Sequence, residues 1–281
     1  MIKDSISAAD YLAFRAFLEN ACGIVLGENK QYLISSRLNK LLAESKITSI
    51  GTLLDTLKKS PNSELRMQVI DAMTTNETLW FRDAYPFSIL EEVIFRELAE
   101  KKKRQVRIWS AACSSGQEPY SISMITQEYM SGKGRGLLRD VQITATDISP
   151  SILKQARLGF YDNLSLGRGL PVERKKRFFE QHGEQWQVKD EIRNRVKFTE
   201  FNLMKNFNSL GKFDVIFCRN VLIYFSTDLK RDILNRLSQA LEPGGFLFLG
   251  GSESITSHAD GFEALRHFGG MVYRHVGEPK K

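Results

Sequence analysis

Apolar positions in the first 70 residues recur at helical spacing: Tyr11, Phe14, Phe17 and Leu18, then Ile34, Leu38, Leu41 and Leu42, then Leu53, Leu54 and Leu57. Gly23, Gly27, Gly51 and Pro61-Asn62 punctuate these runs, so residues 1–70 are expected to form a small all-helical domain. A different rhythm follows. Val106 to Trp109, Val141 to Thr146, Val196 to Phe201 and Phe213 to Cys218 read as short strands, and Phe246 to Leu249 and Met271 to Arg274 as two more. Helical spacing lies between them: after Pro119, from Pro150 through Arg157, and from about Asp228 to Leu241. Such alternation predicts an α/β fold, a parallel sheet with helices on both faces, over residues 91–281.

Two segments break the pattern. Residues 71–90, "DAMTTNETLWFRDAYPFSIL", carry Leu79, Trp80 and Phe81, too apolar to be left in water, so this apparent linker must pack on something. From Glu91 onward a helix with the run Lys101 to Arg104 leads into the first strand. Residues 158–192 hold a short helix around Val172 to Phe179, then Gly183 and the weakly alternating "QWQVKDEI", enough for a small hairpin inserted off the main sheet.

The stretch "RIWSAACSSGQEPYS" then carries the chemistry. A strand meets small residues, one glycine and a helix start at Pro119, so the backbone turns close to a ligand where open α/β sheets bind them. With Gly116 alone there is no Gly-x-Gly-x-x-Gly, and there is no Gly-Lys-Ser/Thr, which disfavours a pyrophosphate and excludes a P-loop. A nucleoside without phosphates remains, and S-adenosylmethionine fits. Asp147, ending the second strand, can accept both ribose hydroxyls; Asn202, after the third, has a donor and an acceptor for the adenine edge; Glu118 can bind the methionine ammonium. Each residue also suits a plainer role: Asp147 and Asn202 as strand-end turn residues, Glu118 as a partner of the helix dipole.

Composition narrows the classes. Hydrophobic residues make up 42% and charged residues 26% of the 281, an ordinary globular balance. No apolar run suits a signal peptide or a membrane span, so a cytoplasmic protein is expected. Three scattered cysteines, Cys22, Cys113 and Cys218, argue against disulfides and a zinc site, and no metal is expected; the last two read as small packing residues. The net charge of +7 suits nucleic acid, a membrane surface or an acidic protein. On the helical segment Gln31 to Lys46, Lys30, Arg37 and Lys40 fall within about 80° of one another. They form either a solvated face or a docking face for an acidic helix.

The motifs "MTTNETLWFRD", "SAACSSGQEPYS", "ATDIS", "FNLM", "FCRNVLIYF" and "PGGFLFLG" together resemble those of the CheR-type chemotaxis receptor methyltransferases, over almost the whole chain. The resemblance implies a helical N-terminal domain, a linker that helps close the cofactor site, and a Rossmann-like S-adenosylmethionine-dependent methyltransferase domain with a small inserted β-subdomain. It implies cofactor contacts at Asn76, Thr78, Arg82, Ala111, Glu118, Asp147, Asn202, Leu203, Asn220 and Val221, with S-adenosylhomocysteine as product. It also implies methylation of glutamates on chemoreceptor cytoplasmic helices. Given that substrate, Arg82 and Tyr224 are expected to be the polar groups nearest the chemistry, Arg82 binding the substrate carboxylate, the cofactor carboxylate or both in turn, and Tyr224 orienting the nucleophile or else packing as a core tyrosine; Lys30, Arg37 and Lys40 are expected to form a receptor-docking face. Some relatives grip a tethering peptide at the receptor C-terminus through the β-subdomain. The loop "EQHGEQWQVKDEIRNR" looks shorter here, so a tether-independent enzyme is expected. No Asn-Pro-Pro-Tyr-like segment supports a nucleic-acid substrate, and no membrane insertion is expected.

Overall fold

Serine side chains start three of the four N-terminal helices. Helix α1 (Ala8–Cys22) is capped by Ser7, whose hydroxyl accepts the Asp10 N–H, while α2 (Gln31–Glu44) starts without a side-chain cap. Ser49 caps α3 (Ile50–Lys59) and Ser63 caps α4 (Glu64–Met73) in the same way as Ser7. The Tyr11 hydroxyl replaces the missing cap of α2, accepting from the Lys30 N–H at 3.0 Å and donating to the Gly27 carbonyl at 2.6 Å. The predicted stripes close on each other, with Phe14, Leu18, Ile34, Leu38 and Leu53 fully buried. At the end of α1 the chain turns through Gly23 (φ 80°), whose N–H bonds the Glu19 carbonyl.

In this computed structural model the described residues are 6–60, 63–103, 105–255 and 261–277; Pro61, Asn62 and Arg104, named above, lie outside them. The chain divides into two compact units, one of residues 1–75 with 224–229, the other of 76–223 with 230–281. The boundary expected near residue 70 therefore falls inside α4, because Val69, Ile70 and Met73 of that helix are buried. Residues 76–90 of the expected linker belong to the second unit.

That unit opens with α5 (Tyr85–Ile89), which runs through a π-helical turn, Leu90–Ile94, into α6 (Phe95–Glu100), so the helix expected from Glu91 begins earlier. The order continues β1 (Gln105–Ala111), α7 (Gln117–Ser131), β2 (Asp140–Asp147) and α8 (Pro150–Leu158). An excursion follows: β3 (Phe160–Asp162), α9 (Asn163–Gly167), α10 (Val172–Phe178), β4 (Phe179–His182), β5 (Gln185–Val188) and α11 (Asp190–Arg193). The chain then makes β6 (Val196–Glu200), β7 (Phe213–Cys218), α12 (Thr227–Ala240), β8 (Leu241–Leu249), β9 (Phe262–His267) and β10 (Gly270–His275).

The main sheet has the order β6-β2-β1-β7-β8-β10-β9, with β10 antiparallel to both neighbours. Pairings β6/β2, β2/β1, β1/β7 and β7/β8 are all parallel. From β1 the chain builds outward through β2 to β6, then returns to lay β7 and β8 on the other side. The switch point, and hence the expected crevice, lies at the carboxyl ends of β1 and β7. Fully buried Ile108, Trp109, Val215, Phe217 and Phe248 make these strands a rigid support, with Phe217 and Phe248 stacked at 4.5 Å.

Two strand expectations are corrected. Pro243-Gly244-Gly245, a sequence suited to a turn before the expected strand Phe246 to Leu249, lies inside β8, where an irregular register opposite Phe213 and Val215 absorbs it. Strand β9 was not expected, since Phe262–His267 is a half-exposed edge with little apolar signal.

The excursion forms its own sheet, β3-β5-β4, with a tight hairpin through Gly183 (φ 62°). Its two ends are bonded together at the neck: the Val188 N–H meets the Gly159 carbonyl at 3.0 Å, and Gln187 Nε2 and Arg193 Nη1 both donate to the Leu158 carbonyl. The Trp80 ring lies edge-on against Tyr161 at 4.9 Å and Phe179 at 5.4 Å, and the Trp80 backbone N–H donates to the Arg168 carbonyl at 3.0 Å. The apolar residues of the 76–90 segment thus find their partner in the insertion. Among the described residues no helix is long and apolar enough to cross a membrane.

Candidate active site

Strands β1 and β2 end side by side, Ala111 opposite Thr146. Beyond Ala111 the backbone turns through three positive φ angles, at Ala112 (59°), Ser114 (51°) and Gly116 (96°). Two of these are not glycine, and such conformations, at about 1–3 kcal/mol each, persist only where the surroundings hold them. Here Cys113 donates its N–H to the Thr146 carbonyl at 2.8 Å, and Ser114 donates its N–H to Asp147 Oδ2 at 2.8 Å. Asp147 Oδ1 accepts from the Ser149 N–H at 3.0 Å, so one buried carboxylate braces the turn and the start of α8 together. The Ser114 hydroxyl reaches the Asn76 carbonyl at 2.8 Å and ties the 76–90 segment to the same turn.

Glu118 sits in the first turn of α7, where its charge also suits the helix dipole. Its Oε1 accepts from the Ser110 hydroxyl at 2.8 Å and its Oε2 from Arg219 Nη1 at 3.0 Å. Arg219, one residue past β7, has a side chain only 2% exposed. Its Nη2 donates to Asp83 Oδ2 at 2.6 Å and to the Arg82 carbonyl at 2.9 Å. Phe81 (φ 48°), Asp83 (67°) and Ala84 (49°) form a second turn of positive φ, bonded through Arg219 to the first helix of the site. The Arg82 guanidinium itself makes no hydrogen bond or ion pair among the described residues.

Asn220, with φ 58°, follows Arg219. Glu253, beyond β8, accepts three backbone N–H groups: Asn220 at 2.8 Å, Gly250 at 2.7 Å and Ile223 at 3.2 Å. Removing this carboxylate leaves all three donors without their partner. Glu253→Ala is expected to cost about 2–3 kcal/mol of unfolding free energy in urea and to weaken S-adenosylhomocysteine binding. An unchanged urea midpoint would show the clamp to be dispensable.

At the third strand end Asn202 Oδ1 accepts the Met204 N–H at 2.9 Å, the turn role left open above. Arg236 Nη1 donates to the Leu203 and Lys205 carbonyls, both at 2.7 Å, and fixes the chain that follows. Thr78, Ala111 and Val221 belong to the same unit, Ala111 with 1% exposure. Tyr224, the last residue of a 3-10 turn, belongs to the helical unit, where its carbonyl accepts the Val25 N–H at 2.8 Å. Burial pushes the thiols of Cys113 and Cys218 well above their usual range, as befits packing residues. No cluster of metal-binding side chains occurs among the described residues.

The three cations of the helical unit differ in their surroundings. Arg37 Nη1 donates to the Met73 and Thr74 carbonyls at 2.7 and 2.9 Å, and Nη2 to the Thr75 hydroxyl at 3.0 Å. Its charge thereby satisfies the open carbonyl end of α4. Lys30 lies over the Tyr32 ring, and Lys40, 89% exposed, is 3.9 Å from Glu44.

The donor set fits S-adenosylmethionine. A fixed carboxylate ends β2 for ribose hydroxyls, and Glu118 with Arg219 and Asp83 carries one net negative charge for an ammonium. Residues missed from sequence are Arg219, Ser114, Asp83 and Glu253. A signal existed for one of them: Arg219 is a lone charge directly after the apolar run Val215 to Cys218, a place where an unpaired arginine is rarely buried.

Residues 9–74 match the family model "CheR methyltransferase, all-alpha domain" and residues 76–268 match "CheR methyltransferase, SAM binding domain". The chain is 53% identical to a chemotaxis protein methyltransferase of Vibrio anguillarum, over 96% of this chain and 98% of the relative. It is 51% identical to chemotaxis protein methyltransferase Cher2 of Pseudomonas putida, over 94% and 97% of the two chains. Chemotaxis protein methyltransferase 1 of Pseudomonas aeruginosa is 52% identical, over 96% and 99%. With both family models matched in order along the chain and these relatives aligned over nearly its whole length, the chain belongs to the CheR methyltransferase family.

Proposed function

We propose that this chain is a protein-glutamate O-methyltransferase that moves a methyl group from S-adenosylmethionine to glutamate carboxylates on chemoreceptor cytoplasmic helices. It gives glutamate methyl esters and S-adenosylhomocysteine, in chemotaxis adaptation in the cytoplasm. The observation that carries this reading is the hydrogen-bonded Ser110–Glu118–Arg219–Asp83 chain, built around the buried Arg219, beside a turn braced by Asp147. Asp147 binds the ribose, Glu118 the methionine ammonium, and Asn202 and Leu203 the adenine. Asn76, Thr78, Ala111, Asn220 and Val221 complete the contacts.

When bound, S-adenosylmethionine supplies a methyl group on a positively charged sulfur. The receptor glutamate, with an ordinary pKa near ~4.3, is already ionised at neutral pH, so the protein needs no general base. Its work is alignment: the carboxylate oxygen must approach the methyl carbon opposite the sulfur, and positioning of this kind supplies several kcal/mol. Arg82, whose guanidinium has no partner among the described residues, binds a carboxylate, either the nucleophile or that of the cofactor. Tyr224 orients the nucleophile through its hydroxyl. Lys30 and Lys40 attract the acidic receptor helices, with Arg37 holding α2 to the end of α4. The hairpin between β4 and β5 has only Gly183 and Glu184 at its tip, which supports docking that does not depend on a receptor C-terminal peptide.

The test is transfer of tritiated methyl to receptor cytoplasmic fragments, with glutamate-to-alanine controls and a mild alkali chase. Label released as methanol, and absent from the controls, is the expected result; alkali-stable label would reject ester formation. Tyr224→Phe is expected to lower kcat about tenfold with S-adenosylhomocysteine affinity within about threefold, as for loss of one transition-state hydrogen bond. Unchanged turnover would remove Tyr224 from the chemistry.

A further inference from the structure

Arg219 is a buried charge of the site, its side chain 2% exposed, and belongs to none of the cofactor contacts assigned above. Its guanidinium joins three groups: Glu118 on α7, Asp83 of the 81–84 turn, and the Arg82 carbonyl of that turn. The Asp83 side chain is 40% exposed and Glu118 13%, so the arginine is the shared buried partner of one wet and one dry carboxylate. The turn it grips is costly by itself, since Phe81, Asp83 and Ala84 all hold positive φ without being glycine. The Phe81 N–H is also held, by the Ser121 hydroxyl at 3.2 Å, whereas residues 82–84 have no comparable bond from α7 among the described residues.

We propose that Arg219 is a positioning residue: it locks the 81–84 turn to Glu118, and so fixes where the backbone presents the Arg82 side chain relative to the ammonium site. Resting on the assignments of Glu118 and Arg82 above, the idea makes cofactor recognition and alignment of the nucleophile depend on one guanidinium. A planar fork can bond two carboxylates and a carbonyl at once; an ammonium on a flexible stem cannot hold the same three acceptors in one geometry. A displacement of the turn by about 1 Å is enough to cost up to about a hundredfold in rate.

The experiment is a double-substitution cycle between Arg219→Lys and Asp83→Asn, with kcat read at saturating S-adenosylmethionine on a receptor fragment. Thermal midpoints and S-adenosylhomocysteine affinities are recorded alongside. Each single change is expected to lower kcat by about tenfold or more, and the double variant to fall within about threefold of the worse single, because both release the same turn. Asp83→Asn keeps the buried arginine paired with Glu118 and protects the test against a misfolded Arg219 variant. Losses that multiply, or midpoints that drop while kcat holds, overturn the proposal. Arg82→Ala distinguishes the layers: unchanged kcat and affinity there defeats the Arg82 assignment and this proposal with it. An impaired Arg82→Ala enzyme alongside multiplicative losses defeats the Arg219 role alone.

Discussion

Asp147→Ala is expected to weaken S-adenosylhomocysteine binding by about a hundredfold or more, measured by titration calorimetry. Hydrogen bonds from ligand hydroxyls to a charged acceptor contribute roughly 1.5–3 kcal/mol each, and two are lost. The carboxylate also accepts the Ser114 and Ser149 N–H groups, so its removal frees a strained turn as well as the proposed ribose contact. Asp147→Asn retains one carbonyl acceptor and should fall between the alanine variant and the parent. Affinity within about threefold of the parent in the alanine variant would remove Asp147 from the ribose site, since a lost charged hydrogen bond costs more than that.

The second large effect is on stability. Trp80 is 1% exposed and wedged against Tyr161 and Phe179, so Trp80→Ala opens a cavity worth about 3–5 kcal/mol. The thermal midpoint should fall by roughly 10 °C. The indole N–H has no hydrogen-bond partner among the described residues, so Trp80→Phe loses volume and no polar contact and should recover most of the difference. Equal losses for the alanine and phenylalanine variants would mean that the indole, rather than ring packing, carries the stability. Because Trp80 lies four residues from Asn76, the alanine variant should also bind cofactor less tightly.

Much of this was legible beforehand because burial and period speak plainly in central strands. Phe213 to Cys218 is buried at every position, and its strand ends where apolar residues give way to Arg219 and Asn220. Asp147 and Glu118 stood out as lone acids beside small residues. Strand β9 was opaque because an edge strand needs only one covered face, and Phe262–His267 alternates weakly. A boundary near residue 70 lies inside α4, a helix whose apolar signal is sparse because only Val69, Ile70 and Met73 are buried. Arg219 and Glu253 act between segments far apart in the chain, and no local pattern announces which backbone or carboxylate a distant side chain will meet. Arg37 looked like a surface cation by helical angle alone, whereas the carbonyl end of α4 engages it.

The bonded neck of the insertion has a consequence for how such enzymes diversify. Since Val188 is tied back to Gly159 and both Gln187 and Arg193 to the Leu158 carbonyl, the polypeptide leaves and re-enters the scaffold at one spot. Residues added inside a closed loop cost little, roughly 0.6 kcal/mol for each doubling of its length. This module can therefore be lengthened, trimmed or exchanged while α8 and β6 stay in register, and the crevice at the ends of β1 and β7 keeps its support.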